Sequence, residues 1–255
     1  MNYGDEVLFK INDSIGILTL NHPPENYLTV PEFIPVTIFR EWTNNDTLKG
    51  LIIKGEGKNF SAGGNLEHIF SAGEKGLSLH NLMADGLELL RCIQNLDIPV
   101  IAAINRVCFG GGLEIALACH FRVASENALL AFPEVNRNLM PGMGGTFRLP
   151  ATIGLFESTR IILGGDMINA TEAKELGILD YVAPKDKAFE FSWNLMQKMT
   201  HDRPVKVIRF IMRALKNSTE LSPEEAMKEE TNLFCELARD ESIRRKKEDG
   251  HTVDC

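Results

Sequence analysis

The sequence predicts an α/β layered domain followed by a helical C-terminal region. Short apolar strands alternate with helical stretches over most of the 255 residues. One strand, Pro99-Val100-Ile101-Ala102-Ala103-Ile104, is almost wholly apolar, which requires cover on both faces. From about Ala188 onward the strand pattern stops and the chain reads as helix throughout. The expected division is a layered core over residues 1–195 and a helical region over 196–255, with no low-complexity linker and no repeat of fixed period.

The elements follow in order. Val7 to Ile11 and Ile15 to Leu20 form strands joined by a turn at Asn12-Asp13-Ser14, and a helix is expected from about Pro31 to Trp42. A buried strand at Leu51-Ile52-Ile53-Lys54 leads into the loop Gly55 to Gly64, then a helix from about Leu77 to Leu96. Further strands fall at Phe121 to Ala124 and Ala128 to Ala131. After Pro141 the pattern turns helical. Ala170 to Gly177 reads as a short helix capped by Thr171 and stopped by Gly177, and a last strand is expected over Ile178 to Val182. Ser222-Pro223-Glu224-Glu225 has the form of a capping box that opens a long helix.

Composition narrows the function classes. With 44% hydrophobic and 24% charged residues the chain is ordinary for a globular protein. A formal charge of −8 argues against nucleic-acid binding, which normally needs a basic face. No N-terminal stretch has the form of a signal peptide and no apolar run approaches the roughly 20 residues that span a bilayer, so a cytoplasmic location and no membrane contact are expected. The five cysteines (Cys92, Cys108, Cys119, Cys235 and Cys255) are scattered, which predicts reduced core thiols, or a loose terminal one at Cys255, rather than disulfides. The histidines show no ligand spacing, so no metal is expected. The basic run Arg244 to Lys247 is one source of cations for an anionic small ligand, with a solvated helix end as its default reading.

The chemistry concentrates in Phe109-Gly110-Gly111-Gly112-Leu113-Glu114 and in Glu134, twenty positions later (134 − 114 = 20). The glycines allow close backbone approaches, and the run Leu113 to Cys119 reads as a buried helix whose first amides are unpaired donors. Such donors suit an oxygen that becomes negative during reaction. A carboxylate at Glu114 among apolar neighbours is costly unless it is hydrogen-bonded, solvated or used. A second glycine loop, Ser61-Ala62-Gly63-Gly64-Asn65-Leu66, also follows a strand and precedes a helix. Either loop alone is explained by tight turns and packing; together, Gly64 and Gly111 can aim two N–H groups at one carbonyl oxygen. Phosphate-loop, dinucleotide and serine-hydrolase motifs are absent. Met140, Met143 and Phe132 are candidates for pocket wall with core packing as their default, and His68 and His80 for a pocket mouth with a surface role as theirs.

These residues carry a resemblance. Gly57 to Leu66, Ile98 to Asn105, the Gly110-Gly111-Gly112-Leu113-Glu114 segment and Pro141-Gly142-Met143-Gly144-Gly145-Thr146-Phe147-Arg148-Leu149 resemble the crotonase superfamily, which includes enoyl-CoA hydratases and isomerases. The resemblance runs from about Val7 to the C-terminus. It implies a spiral of ββα units with a C-terminal helical region used for trimerisation, an acyl-CoA thioester substrate, and a homotrimer or dimer of trimers. Coenzyme A is then part of the substrate and no separate cofactor is implied. It also implies oxyanion donors at Gly64 and Gly111, acid and base at Glu114 and Glu134, nucleotide-end contacts around Ala62, Gly64, Asn65 and Leu66, and Gly142 beside the acyl pocket.

Hydration across an α,β double bond is the reaction implied first, with one glutamate taking a proton from water while the other orients it or returns a proton. Which does which stays open. A double-bond isomerase or another enolate-stabilising acyl-CoA enzyme is the alternative, and a non-catalytic binding member is a weaker one. The chain departs from the family in lacking, within Asn21 to Leu28, the basic residue that the family often places there near the phosphates, and in carrying Asn65 and His120 where aspartate is common. It also has Asn138 where glycine is usual, which implies a reshaped acyl pocket.

Overall fold

A computed structural model describes residues 2–74 and 78–248. Leu77, His251 and Cys255 lie outside them. Contacts divide the chain into two units, residues 1–201 and 202–255.

In the first unit, β1 (Asn2–Tyr3), β2 (Val7–Asn12) and β3 (Ile15–Leu20) are antiparallel neighbours, and Asp13 and Ser14 take positive φ in the tight turn between β2 and β3. The next helix, α1 (Val36–Thr43), starts later than the expected Pro31. Pro35 disfavours helical geometry at the residue before it and itself stands just outside the first turn, where Glu32 Oε1 accepts the Val36 N–H at 2.8 Å. Then come β4 (Gly50–Gly55), α2 (Leu66–Glu74), α3 (Leu79–Gln94), β5 (Val100–Ile104), β6 (Val107–Phe109), α4 (Gly111–Ala118), β7 (Phe121–Ser125) and β8 (Leu129–Ala131). A 3-10 turn over Pro133–Arg137 precedes α5 (Gly145–Ile153), α6 (Leu155–Gly164), β9 (Ile168–Asn169), α7 (Ala170–Glu175), β10 (Tyr181–Ala183) and α8 (Ala188–Thr200).

Two sheets result. The larger is seven-stranded, ordered β1-β2-β3-β4-β5-β7-β10 and parallel from β3 onward. Alternation along its strands buries both faces: Val100, Ala102 and Ile104 enter the main core, while Ile101 and Ala103 join Ile15, Ile52, Val123 and Met196 of α8 in a second cluster. Because α8 covers that second face, the expected boundary at 195/196 falls inside a helix that belongs to the first unit.

The smaller sheet, β6-β8-β9, sets the register of the loops. Cys108 pairs with Leu130, and Ser61, in the chain after β4, bridges to Cys108 on its other side. Each ββα turn of the spiral therefore sends one strand to the large sheet, a shorter one to the small sheet, and then a loop. The result is an α/β spiral of ββα units, as the sequence predicts.

Two sequence expectations change. The cap of α7 is Asn169, whose side chain accepts the Glu172 N–H at 3.0 Å, so Thr171 lies inside the helix. Ile178 and Leu179 are buried but not in a strand, because both N–H groups donate to Ala173 O after Gly177 turns the chain at φ 84°. The ladder begins only at Tyr181. In the second unit, α9 (Val205–Glu220) and α10 (Pro223–Glu248) pack together, and the capping box forms as expected: Glu225 N donates to Ser222 Oγ at 3.3 Å and Ser222 N to Glu225 Oε2 at 3.1 Å. At its far end Arg244 and Arg245 pair with Glu241 at 2.8 Å, as a solvated helix end does.

The loop that carries Gly64 is tied down by a buried Asn26. Its Nδ2 donates to Glu56 O at 2.9 Å and Asn59 O at 2.8 Å, its Oδ1 accepts the His22 N–H at 3.0 Å, and its carbonyl accepts from Ser61 Oγ at 2.7 Å. Asn26→Ala strands two part-buried carbonyls and keeps a positive φ that alanine dislikes. It is expected to cost about 2 kcal/mol or more of unfolding free energy in urea titration, since each unpaired buried group costs about 1–3 kcal/mol.

Candidate active site

Three loops converge because their strands are in register. Three residues after Ser61 comes Gly64, three after Cys108 comes Gly111, and three after Leu130 comes Pro133, followed by Glu134. Gly111 is the first residue of α4, so its N–H has no partner within the helix. At Gly64 the neighbouring groups are used: Leu28 N donates to Gly63 O and Asn65 N to Leu28 O, both at 2.9 Å, which leaves the Gly64 N–H on the opposite edge. The two segments touch. A Cβ on Gly111 would stand 3.6 Å from Gly64 N, and one on Gly63 would stand 3.2 Å from Gly111 N.

Two cavities meet there. A groove of about 460 Å³ is lined by Ala62, Gly64, Asn65 and Leu66 together with Tyr27 and Arg137. A smaller cavity of about 150 Å³ has apolar walls that include Leu28, Met83, Met140, Met143 and Gly142, and both Glu114 and Glu134 open onto it. Gly64, Leu66, Gly111 and Glu134 line both. Phe132, by contrast, is fully buried core, and His68 and His80 are exposed and line neither cavity.

The acids are held differently. Glu114 is 2% exposed, and its Oε1 accepts two main-chain N–H groups, Met143 at 2.7 Å and Gly145 at 2.8 Å. Burial pushes its carboxyl above the ordinary range, while those two amides and the Arg148 guanidinium pull it back. Glu134 stands at the start of the 3-10 turn, against Gly110, where a Cβ would come within 2.8 Å of Oε1. Its Oε2 is buried with no partner among the described residues. Burial pushes the Glu134 carboxyl up to about 7; its own main-chain N–H pulls it back, and the charge of Glu114 adds a smaller upward push. Two acids that repel across one small cavity favour a state in which a single proton is shared between them.

The glycine-rich segment 142–145, read from the sequence only as part of a family pattern, supplies the amides that hold Glu114. Arg148, also unassigned from sequence, is buried beside them. A lone arginine three residues past a glycine pair carries no local signal of such a role. Asn138 adopts φ 57° and ψ 33° as the C-cap of the 3-10 turn, so it occupies the left-handed conformation that glycine would. Asparagine tolerates that conformation, and the backbone there needs no rearrangement.

The profile of the enoyl-CoA hydratase/isomerase family matches residues 10–252. The chain belongs to that family. It is 32% identical over 242 residues to the "Probable enoyl-CoA hydratase" of Bacillus subtilis (strain 168), which covers 93% of this chain and 92% of that protein. Among solved structures, enoyl-CoA hydratase from Bacillus anthracis superposes with a TM-score of 0.81 at 25% identity, over 98% of each chain. Pseudomonas aeruginosa DspI superposes at 0.83 and 27% identity, over 100% of this chain and 98% of that one. Among the described residues of this enoyl-CoA hydratase/isomerase family member, no cluster of metal-ligating side chains occurs and no helix is long and apolar enough to cross a membrane. Cys108 and Cys119 are buried, Cys92 is half-buried, and Cys235 is exposed rather than in the core.

The raised carboxyl of Glu134 carries a stability signature. Folded, it keeps its proton up to about 7; unfolded, it releases it near its ordinary value of 4.5. The group's contribution to stability is therefore full below the unfolded value and lost as pH rises through about 7. Glu134→Gln stays neutral throughout. The melting temperature of Glu134→Gln relative to wild type is expected to climb between about pH 5 and about pH 8, as thermal melts across that range would record; a constant difference would contradict the raised carboxyl.

Proposed function

We propose that this chain is an enoyl-CoA hydratase that adds water reversibly across the α,β double bond of an acyl-CoA thioester. The observation that carries the reading is the meeting of two uncommitted main-chain amides, Gly64 and Gly111, with two carboxyls, Glu114 and Glu134, around one small cavity. The larger groove, with Ala62, Asn65 and Leu66 on its wall and Arg137 at its side, takes the coenzyme A portion, and the apolar cavity beside Gly142 takes the acyl chain. Coenzyme A enters as part of the substrate, and hydration calls for no further cofactor.

The chemistry follows from placement. Hydrogen bonds from both amides to the thioester oxygen stabilise the charge that enters it as an enolate, and loss of one such donor typically costs about 2.7–4 kcal/mol in the transition state. The β-carbon becomes electrophilic. A water held between the two carboxyls adds there as hydroxide: one carboxyl receives a proton from the water, and a proton passes to the α-carbon. The unpaired Glu134 Oε2 is the acceptor left for that water. A pair that shares one proton near neutral pH supplies an acid and a base at the same time.

A second reading, double-bond isomerisation, has its own support. Glu134 has the unpaired oxygen and a carboxyl near 7, whereas one oxygen of Glu114 is committed to two amides. One carboxyl that shuttles a proton between carbons would suffice. For assembly we propose a homotrimer or a dimer of trimers, a state to which the exposed apolar side chains Phe147, Leu155 and Phe156 are suited.

Loss of the conjugated enoyl-thioester absorbance on adding enzyme tests hydration directly. Glu114→Gln and Glu134→Gln are each expected to lower kcat by about 10²–10⁴-fold, the usual worth of a positioned acid or base. Activity that survives Glu114→Gln but not Glu134→Gln assigns isomerisation instead. An absorbance that stays constant across short, medium and branched acyl chains removes the hydratase reading.

A further inference from the structure

Among the described residues, Glu114 and Arg148 are the charged side chains that the fold buries fully, at 2% and 7% exposure. They come from different helices, α4 and α5, which pack together. One residue joins them: Met143 donates its N–H to Glu114 Oε1 at 2.7 Å and accepts Arg148 Nη1 on its carbonyl, also at 2.7 Å. Arg148 Nε is in turn held by Gln94 Oε1 at 2.9 Å, so the guanidinium is fixed from α3 as well. Gly144, at φ 96°, lies directly under the guanidinium, leaving no room for a Cβ. This accounts for a glycine at that position independently of any substrate contact.

We propose that Arg148 is a positioning residue for Glu114: it clamps the main chain that carries the Glu114-binding amides and supplies the counter-charge that lets the carboxyl ionise in a dry site. The inference rests on the hydratase reading for its consequence but not for its geometry. Other ionisable groups around the pair are few. Glu134 faces the same cavity as Glu114 and repels it; Cys119, at the end of α4, feels both Arg148 and Arg122 and is pushed up to about 12 by burial, so it stays neutral. His120 is tied to Gln94 O at 3.1 Å and to the Val100 N–H at 3.0 Å, and burial disfavours its charged form. Arg148 is thus the cation that acts on Glu114.

Removing a cation beside a carboxylate raises the pH at which the proton leaves. In Arg148→Gln the acidic limb of the pH profile of kcat/KM for an enoyl-CoA is expected to move upward by about one pH unit or more. At neutral pH kcat is expected to fall about tenfold or more, with KM within about threefold, because Arg148 itself lines neither cavity. Arg148→Lys keeps the charge without the fork and should restore the acidic limb while recovering only part of kcat. A Tm loss with an unmoved acidic limb would mark Arg148 as merely structural and overturn the proposal.

If Arg148→Gln does not fold, Gln94→Leu, which frees only the Nε hydrogen bond, should give a smaller upward move of the same limb, and an unmoved limb there overturns the proposal equally. Titration of ¹³C-labelled glutamate carboxyls by NMR, in wild type and variant, reads the ionisation without turnover. A wild-type protein that hydrates no enoyl-CoA defeats the hydratase reading, while that titration still decides whether Arg148 governs Glu114.

Discussion

The lateral register of three short chain segments governs the rest of the molecule. Ser61, Cys108 and Leu130 lie abreast in the small sheet, and the chain leaves each of them toward the same end. Parallel neighbours in register deliver residues of equal offset side by side, so Gly64, Gly111 and the Pro133-Glu134 turn arrive together. A slip of one residue in any segment would turn its side chains to the opposite face and carry its loop away from the others. Burial resists such a slip: Ser61, Cys108 and Leu130 are all at 0% exposure. Ser61 adds a polar lock, since its hydroxyl donates to Asn26 O and accepts the Gly63 N–H at 3.1 Å.

The glycines are consequences of that convergence. At Gly63 a Cβ would meet Phe109 O at 2.8 Å, and at Gly112 it would meet Ser61 O at 2.8 Å. The backbones of the two loops run too close for any side chain between them. This closeness brings two loops from distant parts of the sequence into direct contact. Gly63 and Gly110 also need positive φ, so a substitution there would be resisted by the backbone as well as by the neighbours.

Sequence reasoning reached what is written in local patterns. The apolar alternation of the strands, the turn at Asp13-Ser14, the capping box at Ser222 and the glycine loops ahead of Glu114 are short-range signals, and each appears where expected. What escaped was decided by contacts between distant residues. Ile178 and Leu179 have strand composition, yet their N–H groups are drawn to Ala173 O by a helix ending that depends on Gly177. The start of α1 depended on which of two prolines, Pro31 or Pro35, would stand at the helix entry. Arg148 carries no periodic or motif-like signature; its role exists only because α3, α4 and α5 bring Gln94, Glu114 and Met143 around it.

The two glutamates illustrate how a fold separates chemically identical groups. Glu114 sits inside α4, where helix and glycine segment surround it; the desolvation this imposes still raises its carboxyl but is opposed by two amides and a guanidinium. Glu134 sits on a 3-10 turn, where one buried oxygen has no donor among the described residues and the carboxyl is pushed up to about 7. A carboxyl surrounded by donors is stabilised as an anion, and one that lacks them holds its proton. Their mutual repulsion widens that difference, because ionising one makes the other harder to ionise. In the proposed hydration the site thereby begins each turnover with a proton donor and a proton acceptor on opposite sides of one water, a state set by backbone amides and burial before any substrate arrives.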